Sequence, residues 1–204
     1  MDDDSSFTDG NKNKFPHQPN LLIISPSQLF LSYIYSQTNN RMETQTKELE
    51  LLVKMSLMAW DAQNNALNKL LNELSDEQLQ KEIAPGRNRG IYLLGHLVAV
   101  SDGMIPLMDF GEKLFPGLYP VFVKEPDSAT KDLPSAVELK RDLEAVNAKL
   151  NEKIKTTTTA QWFERHTAIS PEDFAKEPHR NKLNIIINRT GHMAYHIGQM
   201  VLLK

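Results

Sequence analysis

The 204 residues, 40% of them hydrophobic and 24% charged, suit one globular domain with a tail, because a chain of this length buries roughly 70% of the surface it exposes when unfolded. A formal net charge of -3, with basic residues interspersed among Asp and Glu, gives no footing for a polyanion, so nucleic acid is not expected as a partner. The complete lack of cysteine removes disulfides, thiolate metal ligands and a cysteine nucleophile together, so any metal must be held by nitrogen and oxygen.

Residues 1–42 differ in character from the rest. They open on Met1-Asp2-Asp3-Asp4, contain Pro16, Pro19 and Pro26, and carry an apolar part, Leu21 to Ile24 and Leu29 to Tyr35, that Ser25-Pro26-Ser27 interrupts. A secretory signal sets positive charge against an uninterrupted apolar run, whereas this stretch starts acidic and reaches its apolar residues late. It is expected to be a flexible, loosely ordered extension, with a packed arm or short helix as the alternative, or, with Met42 as a candidate translation start, a wrongly extended reading frame.

The folded domain is expected over residues 43–204. From Glu43 to Leu74 the positions Leu49, Val53, Trp60, Leu67, Leu71 and Leu74 recur after threes, fours or sevens, which predicts one long helix with an apolar stripe. Pro85-Gly86 closes that region. A second helix is predicted over Ile91 to Met108, kinked or ended by Pro106, and its apolar run from Ile91 to Val100 falls short of the ~20 residues a bilayer requires. Gly111, Pro116, Gly117, Pro120 and Pro126 then make Asp109 to Leu133 a long connection.

A third helix is predicted to begin near Pro134 and to carry Val137, Leu139, Leu143, Val146, Leu150 and Ile154. Beyond the Thr156 to Thr159 run, Trp162, Phe163, Ile169 and Phe174 should anchor a second long connection. The last helix, Asn181 to Lys204, has Asn181 as its cap and Leu183, Ile186, Ile187, Ala194, Ile197, Val201 and Leu202 as apolar positions. Four such helices bury their stripes against one another, so the expected fold is all-α, an up-down-type four-helix bundle with long connections.

Two histidines on the last helix point to chemistry. His192 and His196 are four residues apart, a separation that turns the helix by about 40° and advances it about 6 Å, so their imidazoles can converge on one ion. A zinc-peptidase helix would need Glu directly after the first histidine, and Met193 stands there. A third ligand must come from elsewhere. His96, in the apolar context Tyr92-Leu93-Leu94-Gly95-His96-Leu97, is the best candidate, since a buried imidazole requires a partner. His17 lies in the extension, while His166 and His179 lie in the second connection, where a surface or capping role is the ordinary expectation.

Taken alone, the pair is readable as a metal site or as a hydrogen-bonded cluster, and spacing leaves both open. Arg189 and Gln199, each three residues outside the pair, extend its face. Arg189 is a candidate for holding an anionic substrate and Gln199 for orienting a ligand histidine. Asp61, Asn64 and Asn65 interrupt the first helix's pattern, but no catalytic base is assigned.

Two blocks together resemble the DinB/YfiT-like family of metal-binding four-helix-bundle proteins. The terminal run Asn188-Arg189-Thr190-Gly191-His192-Met193-Ala194-Tyr195-His196-Ile197-Gly198-Gln199-Met200 is similar to that family's histidine-histidine-glycine-glutamine helix. Asn88-Arg89-Gly90-Ile91-Tyr92-Leu93-Leu94-Gly95-His96 is similar to the start of its second helix. The resemblance spans Thr44 to Lys204. It implies His96, His192 and His196 as ligands of zinc, nickel or a related divalent metal, and it implies homodimers. It further implies an enzyme that transfers a low-molecular-weight thiol to an electrophilic small molecule. A metal-dependent hydrolase and a non-catalytic metal-binding or interaction bundle are the alternatives. A small-molecule substrate, no membrane partner and a cytoplasmic setting complete the expectation.

Overall fold

The computed structural model describes residues 25–127 and 133–204. Two units separate by their internal contacts, Met1–Thr44 and Gln45–Lys204. Seven α-helices occur among the described residues: α1 (Pro26–Glu73), α2 (Asp76–Leu79), α3 (Gly90–Leu107), α4 (Ala136–Thr156), α5 (Thr159–Trp162), α6 (Pro171–Lys176) and α7 (Lys182–Met200). A π turn, Pro120–Lys124, lies between α3 and α4, and a 3-10 turn, Val201–Leu203, follows α7. The long helices form an up-down bundle with extended connections.

The first unit departs from expectation. Residues 26–42, read as part of a flexible extension, are helical, because α1 starts at Pro26 and not at Glu43. Ser25-Pro26-Ser27 starts a helix where it had been read as an interruption. The Ser25 hydroxyl accepts from the Gln28 N–H, and the Gln28 side-chain oxygen accepts from the Ser25 N–H. This is a reciprocal cap with proline at the first helical position. All side chains from Pro26 to Leu52 are exposed, among them Leu29, Phe30, Leu31 and Tyr33. The expected extension from Met1 to Asn20 and the apolar run Leu21 to Ile24 lie outside the described residues.

In the second unit the core is assembled from one stripe per helix. Val53, Trp60, Leu67 and Leu71 come from α1, Leu139, Leu143, Val146 and Leu150 from α4, and Leu183, Ile186, Met193 and Met200 from α7. Helix α3 differs by being buried nearly all round, from Ile91 to Ile105. Its composition is apolar enough to cross a bilayer, yet 78% of it is buried inside the protein, as befits the central helix of a bundle.

Several expected core positions lie outside. Val137 is 67% exposed on α4, Ile187 is exposed in the first half of α7, and Val201 and Leu202 are exposed at the end of the chain. The reason at the carboxyl end is a change of helical phase. The 3-10 turn rotates Leu203 inward and Leu202 outward, since its residues advance by about 120° each instead of 100°. Leu203 packs over Gly90, while its carbonyl accepts from the Gln78 side chain and Lys204 pairs with Glu73.

The long connections are tied down by polar side chains whose roles are local. Buried Asp102 accepts the Leu114 and Phe115 N–H groups at 2.7 and 3.0 Å. Thr167 donates to two carbonyls at the end of α3, its hydroxyl to Pro106 and its backbone N–H to Leu107. His166, expected at the surface or in a cap, is buried, and its Nδ1 accepts from the Ala168 N–H. His179 is exposed.

Candidate metal centre

Helix α7 projects His192 and His196 from one face, and α3 contributes His96 from across the core. The Nε2 atom of His192 lies 3.1 Å from that of His96 and 3.1 Å from that of His196. The three ligand atoms lie within 4.8 Å of one another, with each ring half-buried. Nitrogens bound at about 2.0–2.1 Å to one tetrahedral ion would be about 3.3 Å apart, so the spacing suits a shared cation.

The outer faces of the rings fix their proton positions. His96 Nδ1 lies 2.7 Å from the Phe122 carbonyl oxygen, which can only accept, so this nitrogen carries the proton and Nε2 presents a lone pair. His196 Nδ1 likewise donates to Gln199 Oε1 at 2.7 Å, while the Gln199 amide nitrogen donates to the Tyr195 hydroxyl at 3.0 Å. Neutral His192 has one proton, and two inward lone pairs face it. A hydrogen-bonded cluster therefore leaves acceptors unsatisfied, whereas a divalent cation answers all three nitrogens.

The electrostatics favour the same protonation state. Burial pushes the His192 pKa down to about 4, with His196, His96 and Arg189 adding to the effect. Burial also lowers His96, against the opposing hydrogen bond to Phe122, and lowers His196, against the opposing bond to Gln199. All three imidazoles are thus neutral at neutral pH, as ligation requires. Among the described residues no carboxylate joins the group, so the donor set is three imidazoles.

Position 95 explains how His96 is held. A Cβ on Gly95 would fall 2.3 Å from the ring of Phe122, so only glycine lets that buried ring seat on α3 and bring its carbonyl to the neighbouring histidine. The π turn is anchored further by the Tyr92 hydroxyl, which donates to the Glu125 carbonyl. Asp127, just beyond the turn, accepts from the Arg89 backbone N–H at 2.8 Å and from its guanidinium. That carboxylate caps the start of α3 from a distant part of the chain.

The structure thus brings together His96, His192, His196 and Gln199. Arg189 sits half-buried one turn before His192, close enough that its charge depresses both His192 and His96. Asp61 is exposed on α1. Sequence reading missed the Phe122 carbonyl, which carries no residue-type signature, and Tyr195. Gly95 beside a histidine on an apolar helix was the available signal for a close approach. A cavity of about 620 Å³ between α1 and α4, lined by Asn68, Leu71, Lys140 and Asn147 among others, lies apart from the histidines. The chemistry therefore rests on the donor set and not on cavity size.

Comparison with known families gives a match to the DinB superfamily over residues 59–200, well over half of the chain and inclusive of all three histidines. No curated protein matches the sequence.

Proposed function

The chain belongs to the DinB superfamily, and from that membership and the histidine centre we propose that it is a divalent-metal-dependent enzyme joining a low-molecular-weight thiol to an electrophilic small molecule. The observation that carries the reading is the convergence of three Nε2 atoms, two of them with their lone pairs turned inward by fixed partners. In this reading His96, His192 and His196 hold zinc or nickel, both of which accept imidazole. The bound ion supplies charge that lowers the pKa of a coordinated thiol or water, making a nucleophile near neutral pH.

The chain's own residues do the rest. The Phe122 carbonyl and Gln199 keep the His96 and His196 rings in the ligating tautomer. The absence of cysteine from the sequence means that the thiol comes from outside, and the three-ligand donor set leaves it a place to approach. The reading includes a small-molecule substrate, a homodimer and a cytoplasmic setting; the support for the last two is family likeness and composition.

Elemental analysis of protein purified without an affinity tag tests the centre. One zinc or nickel per chain is expected, with affinity lost by at least an order of magnitude in His96→Ala, His192→Ala and His196→Ala. Unchanged affinity in those variants would overturn the ligand assignment. Screening electrophiles with and without small thiols tests the reaction. Metal-dependent turnover that ignores the thiol would replace transfer by hydrolysis.

A further inference from the structure

Several half-buried or buried ionic groups among the described residues sit against an opposite charge. Arg89 pairs with Asp127, Lys182 with Glu164, and Asp142 with Arg141. Arg189 is half-buried, yet among the described residues its guanidinium has neither a carboxylate partner nor a hydrogen bond. An unpaired cation with five unused donors is costly to bury. The sequence holds 26 acidic residues, so the lack of a partner is not a shortage of carboxylates.

Two more cations flank Tyr119, three residues before Phe122. The Lys113 ammonium lies over the Tyr119 ring, 4.2 Å from its centroid, and the Lys124 ammonium lies 5.7 Å from it. Neither lysine forms an ion pair among the described residues. Tyr119 is also the group that acts electrostatically on Arg189, opposing the loss of proton affinity that burial causes. Tyr119 immediately precedes the π turn whose Phe122 carbonyl holds His96, and Lys124 ends that turn. One short segment thus links the cations to the histidine centre.

We propose that Arg189, one turn before His192 on α7, acts with Lys113 and Lys124 at Tyr119, just ahead of the turn that holds His96, as a subsite for the carboxylate or phosphate group of the small molecule that reacts there. The proposal deepens the metal-enzyme reading and rests on it for the word "reacts"; binding of the anion itself does not need the metal. Arg189 is the anchor, because its planar fork matches a carboxylate or phosphate edge with two parallel hydrogen bonds. The lysines attract and retain the anion by charge, which the flexible ammonium does without fixed geometry. The anion belongs either to the thiol or to its electrophilic partner, and both present the same chemistry to the subsite.

Calorimetric titration of the full chain with inorganic phosphate and with succinate, in zinc-loaded and metal-free forms, tests this. Both anions should bind, more weakly as ionic strength rises. Arg189→Gln should weaken them by about tenfold or more, Lys113→Gln and Lys124→Gln by about two- to fivefold each, with zinc content unchanged in all three. Arg189→Lys should fall between the wild type and Arg189→Gln, which separates loss of the fork from misfolding.

S-methylglutathione, which has carboxylates and a blocked sulfur, assigns the source of the anion. Competition with phosphate places the thiol's carboxylate in the subsite, and simultaneous binding places the electrophile's there; either supports the proposal. Anion affinity unchanged in Arg189→Gln, or no anion binding to wild type in either form, overturns it. If zinc fails to bind while metal-free Arg189→Gln still loses its anion affinity, the metal reading falls and the subsite stands.

Discussion

Gln199 shows how much of the centre's chemistry depends on one amide. Its oxygen accepts from His196 Nδ1, and its nitrogen is committed to the Tyr195 hydroxyl, so the amide cannot turn over without losing both bonds. Gln199→Leu keeps the side chain's bulk but frees the His196 ring to rotate or change tautomer. Metal affinity measured by chelator competition is expected to fall about 10- to 100-fold, with little change in thermal stability. Gln199→Glu, which still accepts from Nδ1, should retain most of the affinity; equal losses in both variants would show that the hydrogen bond is not what matters. The histidine pair was legible because four-residue spacing on a helix is arithmetic. The partner of His96 was not, because a backbone carbonyl looks the same at every position.

At the level of elements, the π turn and α3 act as one unit, and two substitutions test that from opposite ends. In Gly95→Ala the new methyl would meet the Phe122 ring at 2.3 Å, and the ring, fully buried, has nowhere to move. The expected cost is about 1–3 kcal/mol in denaturant unfolding, together with weaker metal binding as the carbonyl leaves His96. Adding Phe122→Leu should recover stability, and a failure to do so would mean that the glycine serves another contact. At the other end, burial raises the Asp127 carboxyl but hydrogen bonds and charge from Arg89 outweigh it, so its pKa lies below the ordinary 3.8. A depressed carboxylate contributes stability above that value and loses it as pH falls through the folded pKa. Asp127→Asn should therefore destabilise by about 1–2 kcal/mol at pH 7, less than a fully buried pair because Arg89 is partly exposed. The difference from wild type should shrink below about pH 3–4. A constant difference from pH 7 to pH 2.5 would show that ionisation of Asp127 is not its source. Neither link was readable beforehand, because each joins residues far apart in sequence through a connection that only the fold closes.

For the whole molecule, the extents of α3, α4 and α7 were legible, whereas which side chains turn inward was legible only in part. Leu139, Leu143, Val146 and Leu150 mark a single face of α4 and are buried as their spacing requires. Helix α3, apolar on every side, has no phase to read, and the inward turn of Leu203 depends on a change of helix type that periodicity cannot reveal. The amino-terminal half of α1 misled most, since Ser-Pro-Ser-Gln is both a plausible breaker and a capping sequence. Its lack of burial leads to a prediction about the folded unit. No side chain from Pro26 to Leu52 is buried, and the first core residue of α1 is Val53. Among the described residues, a chain beginning at Gln45 therefore keeps every buried apolar side chain and removes exposed ones such as Leu29, Phe30 and Leu31, whose exposed apolar area gains none of the roughly 25 cal/mol per Å² that burial supplies. It should unfold cooperatively within a few degrees of the full chain, bind one metal with the same affinity, and differ in circular dichroism only by the helical signal of the missing turns. A midpoint lowered by about 10 °C or more, which for a domain of this size corresponds to roughly 3–5 kcal/mol, would mean that the residues before Gln45 carry part of the stability and that the boundary belongs nearer Pro26.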